Sequence, residues 1–173
     1  MIELESVEQT GIDFADLVRE HQSMVFSLSY HFLHDRELAE EVAQEVFLTL
    51  HRHMADIQSP THAAFWLRKV AAQRAIDAAR LRKRRPQVAL EEVAEPAARA
   101  VAPDPLLSEV LRRLVATLPE TPRMIMVMRY QEDLDPAEIA RVLEMPLGTV
   151  KSHLQRSLAL LREKLQRRGV GDY

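Results

Sequence analysis

A chain of 173 residues is long enough for one ordinary domain or two small ones. Only 5% of its residues are aromatic and four are glycine, and no run of alternating β-branched residues occurs, so the composition predicts an all-α protein. The absence of cysteine excludes disulfides and thiolate metal sites. No signal-like segment and no apolar run of membrane-spanning length is present, so we expect a cytoplasmic protein without direct membrane insertion.

The net charge of −3 conceals two basic segments in an otherwise acidic chain. Residues 1–65 carry a net charge of −9 and residues 86–150 carry −5, whereas residues 66–85 carry +7 and residues 151–173 carry +4. Charge that is separated in this way is typical of proteins that contact nucleic-acid phosphates locally. Solvated helix surfaces would explain one such segment more readily than two.

The first half of the chain predicts a domain of three helices over residues 13–85, preceded by a tail over residues 1–12. We expect helices at about 13–33, 36–54 and 62–84, with a loop over about 55–61 that contains Ser59-Pro60. The third helix ends in the basic run of residues 80–85. The apolar stripes of the first two helices comprise Phe14, Leu17, Val18, Met24, Val25, Leu28 and Phe32, then Ala39, Val42, Ala43, Val46, Phe47, Leu50 and Met54.

Residues 86–105 separate this half from the next. They are rich in Pro, Ala and Glu and show no sustained apolar period, which predicts a flexible linker. A second domain is expected over residues 106–168, followed by a short tail over 169–173. It begins with a fourth helix that Ser108 caps and that ends at Leu118. A turn over 119–122 and a fifth helix at about 123–130 follow.

The stretch from Asp135 to Arg168 predicts a helix-turn-helix. Asp135 is suited to the N-cap, Pro136 to the first helical position, and Glu138 completes a capping box. Residues 144–146 break this first helix. A longer helix follows, with its exposed face suited to a DNA major groove. The expected inward residues are Ile139, Ala140 and Leu143 on the first helix and Val150, Leu154, Leu158 and Leu161 on the second.

Several motifs, in order and at matching separation, resemble bacterial RNA polymerase sigma factors of the extracytoplasmic-function (ECF) group, within the sigma-70 family. They are AEEVAQEVFLTLHRH, FWLRKVAAQRAIDAARLRKRR and GTVKSHLQRSLALLREKL. The resemblance implies a fold of two small helical domains joined by a flexible linker, the second with the helix-turn-helix. It also implies a transcription initiation factor that binds core RNA polymerase, recognises the −10 and −35 promoter elements and helps to open promoter DNA.

The resemblance also implies roles for individual residues. The −35 element would be contacted by Thr149, Lys151, Ser152, His153, Gln155 and Arg156. The −10 element would be contacted by Ser59, Thr61, His62, Arg68, Lys69, Gln73, Arg74, Arg80, Arg82, Lys83 and Arg84. The β′ clamp helices of core polymerase would contact Glu41, Gln44 and Glu45, with further contacts to the β subunit. Trp66 is assigned to packing.

The chain departs from the common family pattern at five positions near these sites. Glu41 stands where many members have aspartate, Ile57 and Ala63 where many have phenylalanine, Gln73 where many have asparagine, and His153 where arginine is frequent. The resemblance therefore does not fix the −10 loop contacts or the preferred promoter sequence.

Two alternatives use the same residues differently. A transcriptional regulator could bind DNA without polymerase, but it would not need an acidic helix followed by a basic, tryptophan-bearing one. A helical metal enzyme could use the many histidines of the first half. No Glu is followed by a His three residues later, however, and surface or boundary histidines explain them better. We expect no metal, cofactor, small-molecule substrate or enzymatic activity.

Family resemblance further implies an anti-sigma partner. In the free protein, we expect that the two domains can fold onto each other and hide both basic faces.

Overall fold

A computed structural model describes residues 11–85 and 105–169, the side chains of 105–108 excepted. Within these ranges the chain forms seven α-helices and no strand, so the all-α prediction is confirmed. The predicted tails and the predicted linker lie outside the described residues, apart from a few at their ends. The helices are α1 (Phe14–Leu33), α2 (Arg36–Arg52), α3 (Pro60–Arg84), α4 (Pro105–Ala116), α5 (Glu120–Tyr130), α6 (Pro136–Leu143) and α7 (Leu147–Arg167).

Helices α1, α2 and α3 pack against one another as a three-helix domain. Much of the predicted stripes forms its interior, since Val25, Leu28 and Phe32 of α1 and Val46 and Leu50 of α2 are completely buried. The stripe residues Phe14, Val18, Ala43 and Phe47 are half-buried and line an open groove between α1 and α2. On α3 the buried positions are mainly alanines, which let this helix approach its neighbours closely. Trp66 is partly buried against the same core, in agreement with its assignment to packing.

Helix α3 begins earlier than predicted, at Pro60. Ser59 is its N-cap, and its hydroxyl accepts a hydrogen bond of 3.0 Å from the backbone N–H of His62. Thr61 therefore lies in the first helical turn and not in the loop, and His62 lies in the same turn. The sequence carries the usual signal for this start, a Ser at the N-cap and a Pro at the first helical position.

The second domain contains α4, α5, α6 and α7, and two of its helices also begin earlier than predicted. Helix α4 starts at Pro105, so Ser108 lies inside it and does not cap it. Helix α5 starts at Glu120 and includes Pro122. A proline is tolerated there because the N–H groups of the first helical turn have no partner within the helix.

The helix-turn-helix forms as predicted. Asp135 accepts a 2.8 Å hydrogen bond from the N–H of Glu138, and the Glu138 carboxylate accepts one of 2.8 Å from the N–H of Asp135. Helix α6 ends at Glu144, which adopts a left-handed conformation with φ 54°. The N–H of Met145 then donates to the carbonyl of Ala140 at 2.9 Å and turns the chain toward α7.

The two domains pack against each other. Helix α5 contacts α1 and α3, and α6 also contacts α3. Leu28 and Phe32 of the first domain and Met124, Ile125 and Met128 of the second belong to one continuous apolar core. A smaller cluster within the second domain holds α4 against α5 and α7 through Leu114, Leu118, Met126 and Leu161.

Replacing Asp135 by alanine removes one half of the capping box. We expect the free energy of unfolding to fall by about 0.5–2 kcal/mol. This corresponds to a Tm decrease of roughly 2–4 °C per kcal/mol for a chain of this size. Thermal unfolding followed by circular dichroism measures the change. Asp13→Ala is the matched control, because Asp13 is the N-cap of α1 but accepts no side-chain capping bond. Equal Tm losses in the two variants would contradict the capping role of Asp135.

Candidate functional site

The first turns of α7 present the predicted −35 surface to solvent. Lys151, Ser152, Gln155 and Arg156 are exposed, and Thr149 and His153 are partly buried. Val150 is fully buried on the opposite face and fixes the rotation of the helix. Neither Lys151 nor Arg156 forms an ion pair with any of the described residues, so both cations are available to an anionic partner.

Arg156 is partly held by its own helix. Its Nε donates to the backbone carbonyl of Ser152 at 3.3 Å, one turn earlier. This bond orients the guanidinium group along α7 and leaves the side chain exposed.

The predicted −10 residues differ from one another in exposure and in the contacts they make. Gln73, Arg74, Arg80 and Arg84 are exposed along α3, as is Thr61 at its start. Ser59 serves as the helix cap, and the His62 Nδ1 atom accepts a 3.2 Å hydrogen bond from the backbone N–H of Gln58. Ser59 and His62 thus stabilise the local backbone, a role that the sequence assignment did not include.

Two of the predicted −10 cations bridge the domains. Lys69 on α3 pairs with Glu144 at the end of α6. Lys83 donates to Glu120, the first residue of α5, at 2.8 Å. The side-chain hydrogen bond from Lys83 is the main reason why the pKa of Glu120 is lowered.

Arg82 binds within its own domain instead. Its guanidinium group donates to Asp35 Oδ2 at 3.2 Å and to the carbonyl oxygen of Leu33 at 3.1 Å. These bonds attach the end of α3 to the turn between α1 and α2. A side chain assigned to DNA phosphates therefore also stabilises the fold.

We expected packing of the two domains to hide both basic faces. This expectation is wrong for the basic face on α7. Packing of the domains covers part of the α3 surface, where Lys69 is only partly exposed and bound to Glu144. The −35 surface of α7 stays exposed, because α7 contacts α4, α5 and α6 through its opposite face.

Arg123 is a central residue of the domain junction that the sequence analysis did not single out. Only 6% of its surface is exposed. Its guanidinium carbon lies 4.4 Å from the centroid of the Phe32 ring, and its Nη1 donates to the Phe32 carbonyl at 3.4 Å. Burial lowers its pKa. Its position just before the apolar run Met124–Met128 is the one sequence feature that places it near a core.

His34 lies at the same junction and ends α1 in a left-handed conformation with φ 52°. Burial and then the positive charge of Arg112 lower the pKa of His34 to about 4, with further contributions from His31, Arg123 and Arg82. The pKa of His31 is lowered by burial and by Arg112 as well. A histidine with this pKa is neutral at pH 7.

The predicted polymerase surface lies on α2, where Glu41, Gln44 and Glu45 are all exposed. Of these three, Gln44 lines an open groove between α1 and α2. Leu48, one turn after Gln44, is 58% exposed and lines the same groove. The sequence analysis missed Leu48, although it stands outside the apolar stripe of its helix and so points to solvent.

The histidines of the first domain are not all at its surface. His21 is buried, with 8% of its surface exposed, which corrects the expectation of surface or boundary positions for that residue. Among the described residues, no group of three or more His, Asp or Glu side chains is arranged to hold a metal ion. Nor does any helix in the described ranges have both the length and the apolar character to cross a membrane.

Comparison with known families matches both domains. Residues 17–85 match the family described as "Sigma-70 region 2", and residues 108–161 match "Sigma-70, region 4". Together the two matches cover well over half of the chain, in the order found in sigma factors. The chain belongs to the sigma-70 family of RNA polymerase sigma factors.

Curated relatives place the chain in the ECF group of this family. It is 29% identical to the ECF RNA polymerase sigma factor SigW of Bacillus subtilis, over 88% of this chain and 89% of that protein. It is 28% identical to the RNA polymerase sigma-H factor of Pseudomonas aeruginosa, over 87% and 84% of the two chains. The chain is therefore an ECF sigma factor, which binds core RNA polymerase and directs it to promoters. Sigma factors are non-catalytic transcription factors.

Solved structures agree with the fold. The chain resembles the sigma factor RpoE of Bartonella quintana, solved in complex with the anti-sigma factor NepR, with a TM-score of 0.72 and 17% identity. That match covers 89% of this chain and 97% of the other. CnrH, solved in complex with the cytosolic domain of CnrY, matches with a TM-score of 0.63 and 19% identity, over 89% and 88% of the two chains.

Acidification should destabilise the protein through His34. The folded state holds its pKa at about 4, against 6.5 for an unperturbed histidine, so the unfolded chain binds more protons between these values. The stabilisation is complete above pH 6.5 and is lost as the pH falls toward 4. We expect the Tm decrease between pH 7 and pH 5 to be smaller in His34→Asn, because asparagine tolerates the left-handed backbone but does not titrate.

Differential scanning calorimetry at several pH values measures this difference. His51→Asn is the control, since His51 is exposed and lies on α2, and it should retain the wild-type pH dependence. Parallel Tm curves for wild type and His34→Asn would show that His34 does not contribute.

Proposed function

We propose that three surfaces of the chain each bind a different target during promoter recognition. The exposed start of α7 binds the −35 element, the basic face of α3 binds and helps to open the −10 element, and the acidic face of α2 binds core polymerase. The observation that carries this proposal is the separate location of these surfaces. Exposed cations on α3 and α7 lie on different domains, and the exposed acidic residues lie on a third helix, α2, where Glu45 comes within 4.0 Å of Arg74 on α3.

Helix α7 supports major-groove binding by its position in the helix-turn-helix. Lys151 supplies positive charge for phosphates, whereas Gln155 and Arg156 can form paired hydrogen bonds with base edges. A paired contact of this type contributes roughly 1–3 kcal/mol of discrimination between bases. Thr149, Ser152 and His153 complete the proposed −35 contact set.

Arg156→Ala should weaken binding to a −35 duplex by roughly 5- to 150-fold and relax the preference at one base pair, because about 1–3 kcal/mol of discrimination is lost. Fluorescence anisotropy with the cognate duplex and its single-base variants measures both effects. Arg162→Ala is the matched control, because Arg162 is an exposed arginine further along α7. Equal losses of affinity in the two variants, with unchanged base preference, would show that Arg156 contributes only nonspecific positive charge.

Helix α3 requires a change in the arrangement of the domains before its whole basic face can meet DNA. Gln73, Arg74, Arg80 and Arg84 are exposed in the packed arrangement, together with Thr61. Arg68, Lys69 and Lys83 lie toward the second domain, and two of them are bound to its glutamates. Separation of the domains would release these cations for phosphates at the junction of duplex and open DNA.

The chain between the domains is long enough for this separation. Residues 86–104 can reach at most roughly 65 Å when fully extended. The −35 and −10 surfaces can therefore bind different segments of one promoter. Ser59, His62 and Arg82 would act on the −10 element chiefly by holding the backbone of α3 and its N-terminal turn in place.

The α2 surface combines negative charge with an exposed apolar residue. Glu41, Gln44 and Glu45 would contact the β′ clamp helices, and Leu48 would be covered in the same interface. The second domain would contact the β subunit. Acidic groups next to an exposed leucine suit a basic partner surface, since charges guide association and apolar burial adds affinity.

Glu45→Lys should reduce affinity for core polymerase at least tenfold without lowering the Tm, because it places a cation in an exposed acidic surface. Surface plasmon resonance with immobilised core enzyme measures the affinity. Glu20→Lys is the control, as Glu20 is an exposed glutamate on α1 of the same domain. Unchanged affinity in Glu45→Lys would remove α2 from the proposed interface.

An anti-sigma protein is the proposed regulator. The support comes from solved relatives, since RpoE of Bartonella quintana and CnrH were both determined with such partners or parts of them. We further propose that the chain acts in the cytoplasm and has no enzymatic activity, cofactor or small-molecule substrate of its own.

Reconstitution with core RNA polymerase tests the whole proposal. The holoenzyme is expected to produce promoter-specific transcripts from a promoter library, and the transcript starts would define the −10 and −35 sequences. Core enzyme alone is the control. Duplex binding by the chain without any binding to core would favour a regulator that acts apart from polymerase.

A further inference from the structure

Asp77 is the only acidic residue of α3, whose other charged side chains are lysines and arginines. It lies among residues that the proposed function assigns to DNA. Gln73, Asp77, Arg80 and Arg84 follow one another at intervals of three or four residues, and all four are exposed, so they share one face of the helix. Asp77 therefore stands in the middle of the α3 surface that is proposed to meet the −10 region.

The fold does not use the Asp77 side chain. Its carboxylate is exposed and forms no ion pair or hydrogen bond with any group in residues 11–85 and 105–169. Of the two arginines one turn away, Arg74 comes within 4.0 Å of Glu45 on α2, and Arg80 does not pair with Asp77. Asp77 also lies far from the first turn of α3, where a carboxylate would stabilise the helix. A structural reason for an acidic residue at this position is therefore absent from the described part of the chain.

A carboxylate on a phosphate-binding surface weakens binding to the DNA backbone, because both groups are negative. Base edges are different. In the major groove, the N4 amino group of cytosine donates a hydrogen bond that Asp or Glu accepts. Guanine and thymine present acceptor atoms at this edge, which repel a carboxylate, and adenine presents its amino group beside the N7 acceptor. Cytosine is thus the base that an unpaired aspartate on this surface suits best.

An exposed leucine lies one turn after Asp77. Leu81 is 52% exposed, stands four residues after Asp77 and belongs to neither apolar cluster of the described residues. An apolar side chain gains nothing from phosphate groups, but it gains from contact with the C5 methyl group of thymine in the major groove. Asp77 and Leu81 are therefore suited to base edges, within a surface whose arginines are suited to phosphates.

We propose that Asp77 is a specificity-determining residue that reads a cytosine in the duplex adjoining the opened −10 region. Its carboxylate accepts a hydrogen bond from the cytosine N4 amino group, and Leu81 contacts the methyl group of a neighbouring thymine. Arg80 and Arg84 bind backbone phosphates and hold α3 against the groove. The inference rests on the proposed binding of α3 to the −10 region and adds a sequence preference to it.

Transcription by the reconstituted holoenzyme from a promoter library tests the inference. The duplex next to the −10 element is randomised, and the transcripts are sequenced. We expect the wild type to prefer cytosine at one position by roughly tenfold, about the ratio that a hydrogen bond to a charged group supplies. Asp77→Ala should lose this preference. Asp77→Asn should shift it toward adenine, because an asparagine amide pairs with the adenine N6 and N7 atoms.

Two controls separate base reading from a role in folding. Glu37→Ala removes an exposed carboxylate of the same domain, on α2, and should keep the wild-type base preference. The Tm of Asp77→Ala should not fall below that of the wild type, because the fold makes no use of this side chain.

Deoxyuridine in place of the neighbouring thymine tests Leu81. Removal of the methyl group should lower wild-type transcription roughly fourfold, about the contribution of one buried carbon group. Leu81→Ala should respond much less to the same replacement.

Unchanged base preference in Asp77→Ala would overturn the inference, as would the loss of a preference for any base other than cytosine. Arg84→Ala distinguishes this result from a failure of the proposed function. If Arg84→Ala lowers transcription from all library members while Asp77→Ala keeps the wild-type preference, α3 still binds DNA and only the role of Asp77 is wrong. Wild-type transcription by both variants would contradict both the α3 assignment and the inference.

Discussion

Burial of α5 against α1 and α3 is the contact on which the arrangement of the whole chain depends. Full burial of a large apolar side chain contributes roughly 1.5–3 kcal/mol, and Met124, Ile125 and Met128 are all completely buried. The ion pairs of Lys69 and Lys83 each have one exposed partner, and ion pairs near the surface contribute about 0–1 kcal/mol each. Apolar packing therefore holds the domains together, and the ion pairs determine mainly which surfaces face each other.

This packing gives the two proposed DNA-binding surfaces different accessibility. The proposed −35 surface on α7 is uncovered in the free chain, because α7 contacts the rest of the protein through its opposite side. The proposed −10 surface on α3 is interrupted by Glu120 and Glu144 of the second domain. On this proposal, promoter binding by α3 would compete with the packed arrangement of the domains, whereas binding by α7 would not.

Most of the fold was predictable from the sequence, because the relevant signals are local. Apolar stripes at helical spacing identified α1 and α2, and the capping box of Asp135 and Glu138 identified α6. The starts of α3, α4 and α5 were placed two to four residues late. In α3 and α5 a proline was interpreted as the end of a loop, although prolines are compatible with the first helical turn.

The sequence indicated which residues to propose for the sites, but it did not reveal which residues they contact. Nothing near Arg82 or Lys83 in the sequence reveals that their partners are Asp35 and Glu120, which are 47 and 37 residues away. Burial of Arg123 on Phe32 is likewise a contact between distant parts of the chain. Pairing across domains depends on how the helices pack, and helical periodicity carries no information about that.

The ion pairs of Lys69 and Lys83 also make the protein sensitive to ionic strength in two opposite ways. Each pair has one largely exposed partner, Glu144 or Lys83, so dissolved ions screen it in part and reduce the attraction between the domains. On the proposed −10 assignment, the same ions would also compete for DNA phosphates and weaken the binding of the released lysines. Salt would then weaken the ion pairs between the domains and, at the same time, weaken the DNA binding that separation of the domains permits.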